Sequence, residues 1–204
     1  MDTEEEPCRP AQNEANILPE LQRVQDSDGK IKILVVEDER TYRALYDKGL
    51  FSELFEKKMV ASGKEALLVY NEWHPDIIVL DIYLLEMTGY QVLKEIRTAF
   101  KDKATTIVMA TSLSGNEDVL SCMKLGIEGY IVKPFPRLEI GPKILSYYAK
   151  KEPERAQKAE HLCREMVKQF PIKLFLDKDA IKAKEDADKV SDDVVDTEQE
   201  QYKK

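Results

Sequence analysis

Apolar residues in this chain come in short unbroken runs, and four of the runs end in a polar or charged group. Ile33-Leu34-Val35-Val36 leads into Glu37-Asp38, and Ile77-Ile78-Val79-Leu80 into Asp81. Ile107-Val108-Met109-Ala110 is followed by Thr111-Ser112, and Tyr130-Ile131-Val132 by Lys133-Pro134. Continuous β-rich runs, as opposed to alternating ones, mark strands covered on both faces. Strands are therefore predicted at 31–36, 58–61, 76–81, 105–111 and 129–133, with helices near 40–55, 64–73, 90–100, 116–125 and 137–150 between them. Five successive βα units predict an α/β fold built on a doubly wound, five-stranded parallel sheet.

Local chemistry supports these boundaries. Ser62-Gly63-Lys64-Glu65 and Ser114-Gly115-Asn116-Glu117 have the spacing of capping boxes, which satisfy the orphan N–H groups at a helix start. His74-Pro75 ends a helix, because the residue before proline is pushed out of the α region. Ala66, Val69, Tyr70 and Trp73 form one apolar stripe, and Val92, Ile96, Ala99 and Phe100 another. A further helix starts near Pro153, with Ala156, Ala159, Leu162, Cys163, Met166, Val167 and Phe170 on one face. That face either packs back on the domain or offers a surface to a partner. Four segments follow: a disordered acidic arm over 1–29, a globular domain over 30–151, an amphipathic helical extension over 152–176, and a disordered charged tail over 177–204.

The net charge of −8 sits in the end segments. Residues 1–29 hold eight acids against two arginines, and residues 177–204 hold ten acids against six lysines, which leaves the central part slightly basic. No stripe of clustered Lys and Arg marks a nucleic-acid face, so none is expected as a partner. Cys8, Cys122 and Cys163 are widely spaced and form no Cys-x-x-Cys pair, as in a reduced, cytoplasmic protein. The acidic start is unlike a signal peptide, and no apolar run approaches the roughly 18 residues of a membrane span.

In an open parallel α/β sheet, ligands bind at the C-terminal edge of the strands. That edge would gather Glu37, Asp38, Asp81, Thr111 and Lys133. Three converging carboxylates repel one another unless a cation joins them. A hard divalent ion with oxygen ligands fits, and Mg²⁺ is the expected occupant. The ion would neutralise an incoming phosphoryl group, leaving the Asp81 carboxylate to attack phosphorus. The Thr111 hydroxyl and the Lys133 ammonium can each take a phosphoryl oxygen.

These segments together resemble the receiver domain of bacterial two-component response regulators. The resemblance rests on Ile33–Glu39 (ILVVEDE), Asp76–Asp81 with Met87-Thr88-Gly89, Ile107–Ser112 (IVMATS) and Gly129–Phe135 (GYIVKPF), and it spans about residues 31–150. It implies a flavodoxin-like sheet of order 2-1-3-4-5, with the Pro153 helix as an addition. It also implies that Asp81 is the phosphoacceptor, that Asp38 binds Mg²⁺ directly and Glu37 mainly through water, and that the Tyr83 backbone carbonyl is a further ligand. Thr111 takes the switch-hydroxyl role, Lys133 the phosphate-binding role and Tyr130 that of the movable aromatic. The Lys133-Pro134 peptide is expected to be cis. Two departures stand out. Leu84-Leu85 occupies the place of a common Met-Pro pair, which lowers the expected loop rigidity, and Glu37 replaces a commoner Asp.

The implied donor is a sensor histidine kinase or a histidine-phosphotransfer protein. The same resemblance implies that Tyr83 and Leu113 flank the path of a hydrolytic water; both are bulky, so slow self-dephosphorylation is expected. No helix-turn-helix pattern follows residue 151, so the output is expected to be phosphorylation-dependent binding of a downstream protein. The alternatives are a phosphorelay intermediate and a regulator that forms a homodimer through its C-terminal extension. An enzyme of the aspartate-nucleophile phosphatase kind is disfavoured, because Tyr83 stands where a general acid is needed. His161 and Cys163 are too few ligands for a zinc site.

Overall fold

The computed structural model describes residues 29–112 and 116–169. The chain runs β1 (Ile31–Val36), α1 (Arg40–Gly49), β2 (Phe55–Val60), α2 (Gly63–Trp73), β3 (Ile77–Asp81), α3 (Gly89–Thr98), β4 (Thr106–Thr111), α4 (Asn116–Lys124) and β5 (Gly129–Val132). A 3₁₀ turn (Arg137–Glu139), α5 (Ile140–Tyr148) and α6 (Pro153–Gln169) follow. All five strands are parallel, in the order β2-β1-β3-β4-β5. The predicted architecture, the added helix included, is the observed one.

The unbroken apolar runs have a direct cause in the two-sided core. Within β1, Ile33 and Val35 enter one cluster with α1, α5 and α6, while Leu34 and Val36 enter the opposite cluster with α2 and α3. β3 divides in the same way, with Val79 on one side and Ile78 and Leu80 on the other. Each such fully buried aliphatic side chain contributes about 1.5–3 kcal/mol.

One boundary differs from the expectation. The first helix ends at Gly49 instead of running to 55, and the second strand begins at Phe55, three residues before its predicted start. At Gly49 a Cβ would lie 2.4 Å from the Arg137 carbonyl oxygen, so the chain passes too close to the turn before α5 for a side chain there. Leu50 then turns extended, and Ile31 pairs with Phe55. β2 is an edge strand whose middle residues are only partly buried or exposed, so its run is not continuous and the pattern hides its start.

Helix ends follow local chemistry. The Ser62 hydroxyl accepts from the Glu65 N–H, but the Glu65 carboxylate takes the N–H of Ala61, so the box is closed one residue early. A complete capping box is formed by Thr88 and Gln91, which the sequence pattern Thr-x-x-Gln permitted and the expectation above passed over. The Ser114–Glu117 box falls largely outside the described residues. On α3 the buried stripe is Val92, Leu93 and Ile96, whereas Ala99 and Phe100 are exposed.

α6 folds back on its own domain. Ala156, Ala159, Leu162 and Cys163 are buried in the α1–α5 cluster, with Met166 and Val167 partly buried beside them. The helices pack closely here, since a Cβ at Gly141 would stand 3.0 Å from Cys163 Sγ. The Arg155 guanidinium anchors the start of the helix by donating to Asp76 Oδ1, the Tyr148 hydroxyl and the Lys30 carbonyl at 3.1–3.2 Å. The apolar face left open by the sequence between domain and partner is thus buried against the domain. Phe170 lies outside the described residues.

Candidate functional site

The C-terminal edge of the sheet gathers the residues singled out above. Glu37 and Asp38 follow β1, Asp81 closes β3, Thr111 closes β4 and Lys133 follows β5. Carboxylate oxygens of Glu37, Asp38 and Asp81 lie within 4.8 Å of one another. Lys133 Nζ sits 2.5 Å from Glu37 Oε2 and 2.7 Å from Asp81 Oδ2. Thr111 is buried, and its carbonyl accepts the Lys133 N–H at 2.8 Å, which ties the ends of β4 and β5 together. The Lys133–Pro134 peptide is cis.

Burial sets the electrostatics. It is the main force pushing the Glu37 carboxyl up, to about 7; Asp81 adds to the rise and the Lys133 ammonium opposes it. For Lys133, burial pulls the ammonium down, but Glu37 and Asp81 outweigh it and hold the group above its ordinary value. Glu37 is thus a carboxylate short of positive charge even with Lys133 against it. Together with half-buried Asp38 and the all-oxygen donor set, that shortage fits a hard divalent cation such as Mg²⁺.

The loop after β3 is held without the missing proline. The Tyr83 N–H donates to Asp81 Oδ1 at 3.2 Å, Leu84 is buried, and the Gly89 N–H donates to the Ile82 carbonyl at 3.0 Å. A Cβ at Gly89 would stand 1.9 Å from the Asp81 carbonyl oxygen, so only glycine permits this approach. The Tyr83 side chain is 47 % exposed beside the candidate phosphoacceptor. Leu113 lies outside the described residues. Tyr130, on the edge strand β5, is 39 % exposed, and its carbonyl accepts from the Tyr147 hydroxyl at 2.9 Å.

Two contributors from α1 escaped the sequence reading. The ring of Tyr42 lies 4.5 Å from Lys133 Nζ, a cation–π contact at a nearly dry position. Phe135 packs on Tyr42 and Tyr46, with ring centroids 5.9 and 4.9 Å away. The Arg43 guanidinium donates to the carbonyls of Glu37 and Asp38 at 2.6 and 2.7 Å, fixing the backbone that carries both acids. Their only sequence signal was position, four and five residues beyond Asp38 on a helix that starts at the site.

Comparison with known proteins agrees with this geometry. The family model for the response regulator receiver domain matches residues 33–144, and the chain belongs to that family. It is 36 % identical over 117 residues to the Probable transcriptional regulator ycf27 of Porphyridium aerugineum, a match that covers 57 % of this chain and 48 % of that protein. With the DNA-binding response regulator MtrA of Mycolicibacterium smegmatis it shares 29 % identity, over 62 % of this chain and 54 % of the relative. Among solved structures it is similar to the chemotaxis protein CheY4 of Vibrio cholerae, at 28 % identity and a TM-score of 0.51, covering 56 % of this chain and 98 % of that one. The BeF3-activated DrrB receiver domain is similar at 25 % identity and a TM-score of 0.52, covering 58 % of this chain and 97 % of that one. The chain spans about half the length of the curated relatives it matches. Among the described residues, no helix is long and apolar enough to cross a membrane.

Proposed function

We propose that Asp81 accepts a phosphoryl group from the phosphohistidine of a sensor histidine kinase and that the chain signals by binding a downstream protein in that state. The observation that carries this reading is Lys133 Nζ at 2.7 Å from Asp81 Oδ2, with Glu37 and Asp38 clustered beside the same carboxylate. In the transfer, an Asp81 carboxylate oxygen forms the new O–P bond as the P–N bond to the donor imidazole breaks. Transfer of this kind is mostly a matter of position and charge neutralisation. Glu37, Asp38, Asp81 and the Tyr83 carbonyl would hold Mg²⁺, which when bound offsets the negative charge of the phosphoryl oxygens. Lys133 exchanges part of its pairing with Asp81 for a phosphoryl oxygen. Thr111 donates its hydroxyl to another, and Tyr130 moves toward the space it leaves. A local change of charge thereby shifts the surface formed by α4, β5 and α5.

Several finer statements belong to the same reading. The chain works in the cytoplasm, catalyses no reaction on a separate substrate, and binds no nucleic acid through residues 30–151. The relatives named as DNA-binding or transcriptional regulators match this chain over about half their length, and what the remainder of those proteins does is theirs. The receiver runs over 30–151 and α6 extends it. A homodimer through the apolar face of α6 is disfavoured, because Ala156, Ala159, Leu162 and Cys163 are buried within the chain. Relay of the phosphoryl group to a histidine-phosphotransfer protein remains the alternative use of the same site.

The test is phosphorylation by acetyl phosphate with Mg²⁺. The wild-type chain is expected to gain one acid-stable, base-labile phosphoryl group and Asp81→Asn none. Labelling of an aspartate in the Asp81→Asn protein overturns the assignment.

A further inference from the structure

Between β5 and α5 lies an open groove of about 420 Å³, lined by Val132, Pro134, Phe135, Pro136, Ile140 and Tyr147, among others. Tyr130 and Val132 on its strand wall are 39 % and 44 % exposed, and among the described residues β5 is the last strand of the sheet. With Pro134 and Pro136, which are also exposed, they give the groove an apolar side open to an occupant.

The chain itself carries one of matching chemistry. α6 ends at Gln169, and residues 170–176 read Phe-Pro-Ile-Lys-Leu-Phe-Leu, the densest apolar stretch outside the described elements. Charged sequence follows at once, beginning with Asp177 and Asp179. Cys163 of α6 faces Gly141, the residue next to groove-lining Ile140. From Cys163 to the end of α6 the helix rises about 9 Å, and seven extended residues span roughly 23 Å. The segment is therefore long enough to fold back past the end of α6 toward Ile140. Charges agree as well, since Lys143 and Glu139 on the groove can meet the acids after 176 and Lys173.

We propose that segment 170–176 docks into the β5–α5 groove of its own chain, with Phe175 and its apolar neighbours covering Tyr130 and Val132. The apolar burial gained and the backbone entropy lost by ordering seven residues are of the same order, so the docked segment is releasable. A protein that binds this face must then displace the segment, which makes the C-terminal extension an internal competitor for the output surface. Docking does not require phosphorylation, and its failure would leave the Asp81 assignment standing.

The test places a photoreactive side chain in the full-length protein, Phe175→p-benzoylphenylalanine, and maps cross-links by mass spectrometry at low protein concentration. The expected result is an intramolecular cross-link to residues 130–147, lost when Val132→Glu is added. Val132 is exposed, so that change leaves the core intact, and an unchanged melting temperature verifies it. Cross-links to any other part of the chain, or none, overturn the proposal. Cross-linked dimers joined through the groove also overturn it, and assign the surface to a second copy instead.

Discussion

Lys133 Nζ lies 2.5 Å from Glu37 and 2.7 Å from Asp81, so one ammonium is shared between the carboxylates of two different strand ends. All three side chains are almost fully buried. Removing one partner of such a cluster strands the others. Lys133→Met should destabilise the metal-free protein by about 3–5 kcal/mol. Mg²⁺ should restore part of that loss, because a cation again neutralises Glu37 and Asp81. Urea unfolding with and without Mg²⁺ checks both statements, and an unchanged midpoint without metal counts against the cluster as described.

Tyr83 is 47 % exposed next to Asp81 and offers no carboxylate or amide to orient a water. The phosphorylated protein should therefore lose phosphate slowly, on a scale of many minutes or longer without a phosphatase. Tyr83→Asn should shorten that lifetime by supplying a small side chain that hydrogen-bonds water. Following inorganic phosphate release after removal of acetyl phosphate measures both, and a wild-type lifetime of seconds contradicts the expectation.

Arg155 joins three distant parts of the chain through Asp76, Tyr148 and Lys30. Its ion pair with Asp76 is partly solvated, so its worth lies in the combined hydrogen bonds and the register of α6. Arg155→Ala is expected to cost about 1–3 kcal/mol. Amide hydrogen exchange in α6 should quicken while exchange in β1 and β3 changes little. Equal acceleration throughout the domain would mean that α6 and the sheet unfold as one unit.

Asp102 contributes to the loss of stability in acid. Burial pushes its carboxyl up, but hydrogen bonds from Thr105, Tyr70 and the Ala104 N–H prevail and bring it down from 3.8 to about 2. A carboxylate depressed on folding stabilises above its unfolded value and loses that contribution as pH falls through the folded one. The stability difference between wild type and Asp102→Ala should thus be constant above about pH 5 and shrink as pH falls from 3.8 through about 2. A difference that grows on acidification would reverse the sign of the effect.

Much of this protein was legible before any coordinates, and for a local reason. Residues 33–36, 77–80 and 107–110 are buried on both faces of the sheet, so their apolar character is unbroken and plain in one dimension. Where burial is one-sided the signal faded, and β2 was legible only in its second half, its start at Phe55 being fixed by pairing with Ile31 of β1. The gathering of Glu37, Asp38, Asp81, Thr111 and Lys133 at one edge was equally legible, because groups that end the buried strands of a parallel sheet emerge on the same side.

What the tertiary structure alone decided are pairings between residues far apart in the chain. No periodicity announces that the ring of Tyr42 would lie over Lys133, that Arg43 would hold the Glu37 and Asp38 carbonyls, or that Lys133 would divide itself between two acids. The fate of α6 was of the same kind. Its apolar face was visible in sequence, but whether it met the domain or a partner depended on the close packing of Gly141 and Cys163 and on Asp76 standing within reach of Arg155. Hydrophobic pattern sets which faces are buried, and only packing in three dimensions sets against what.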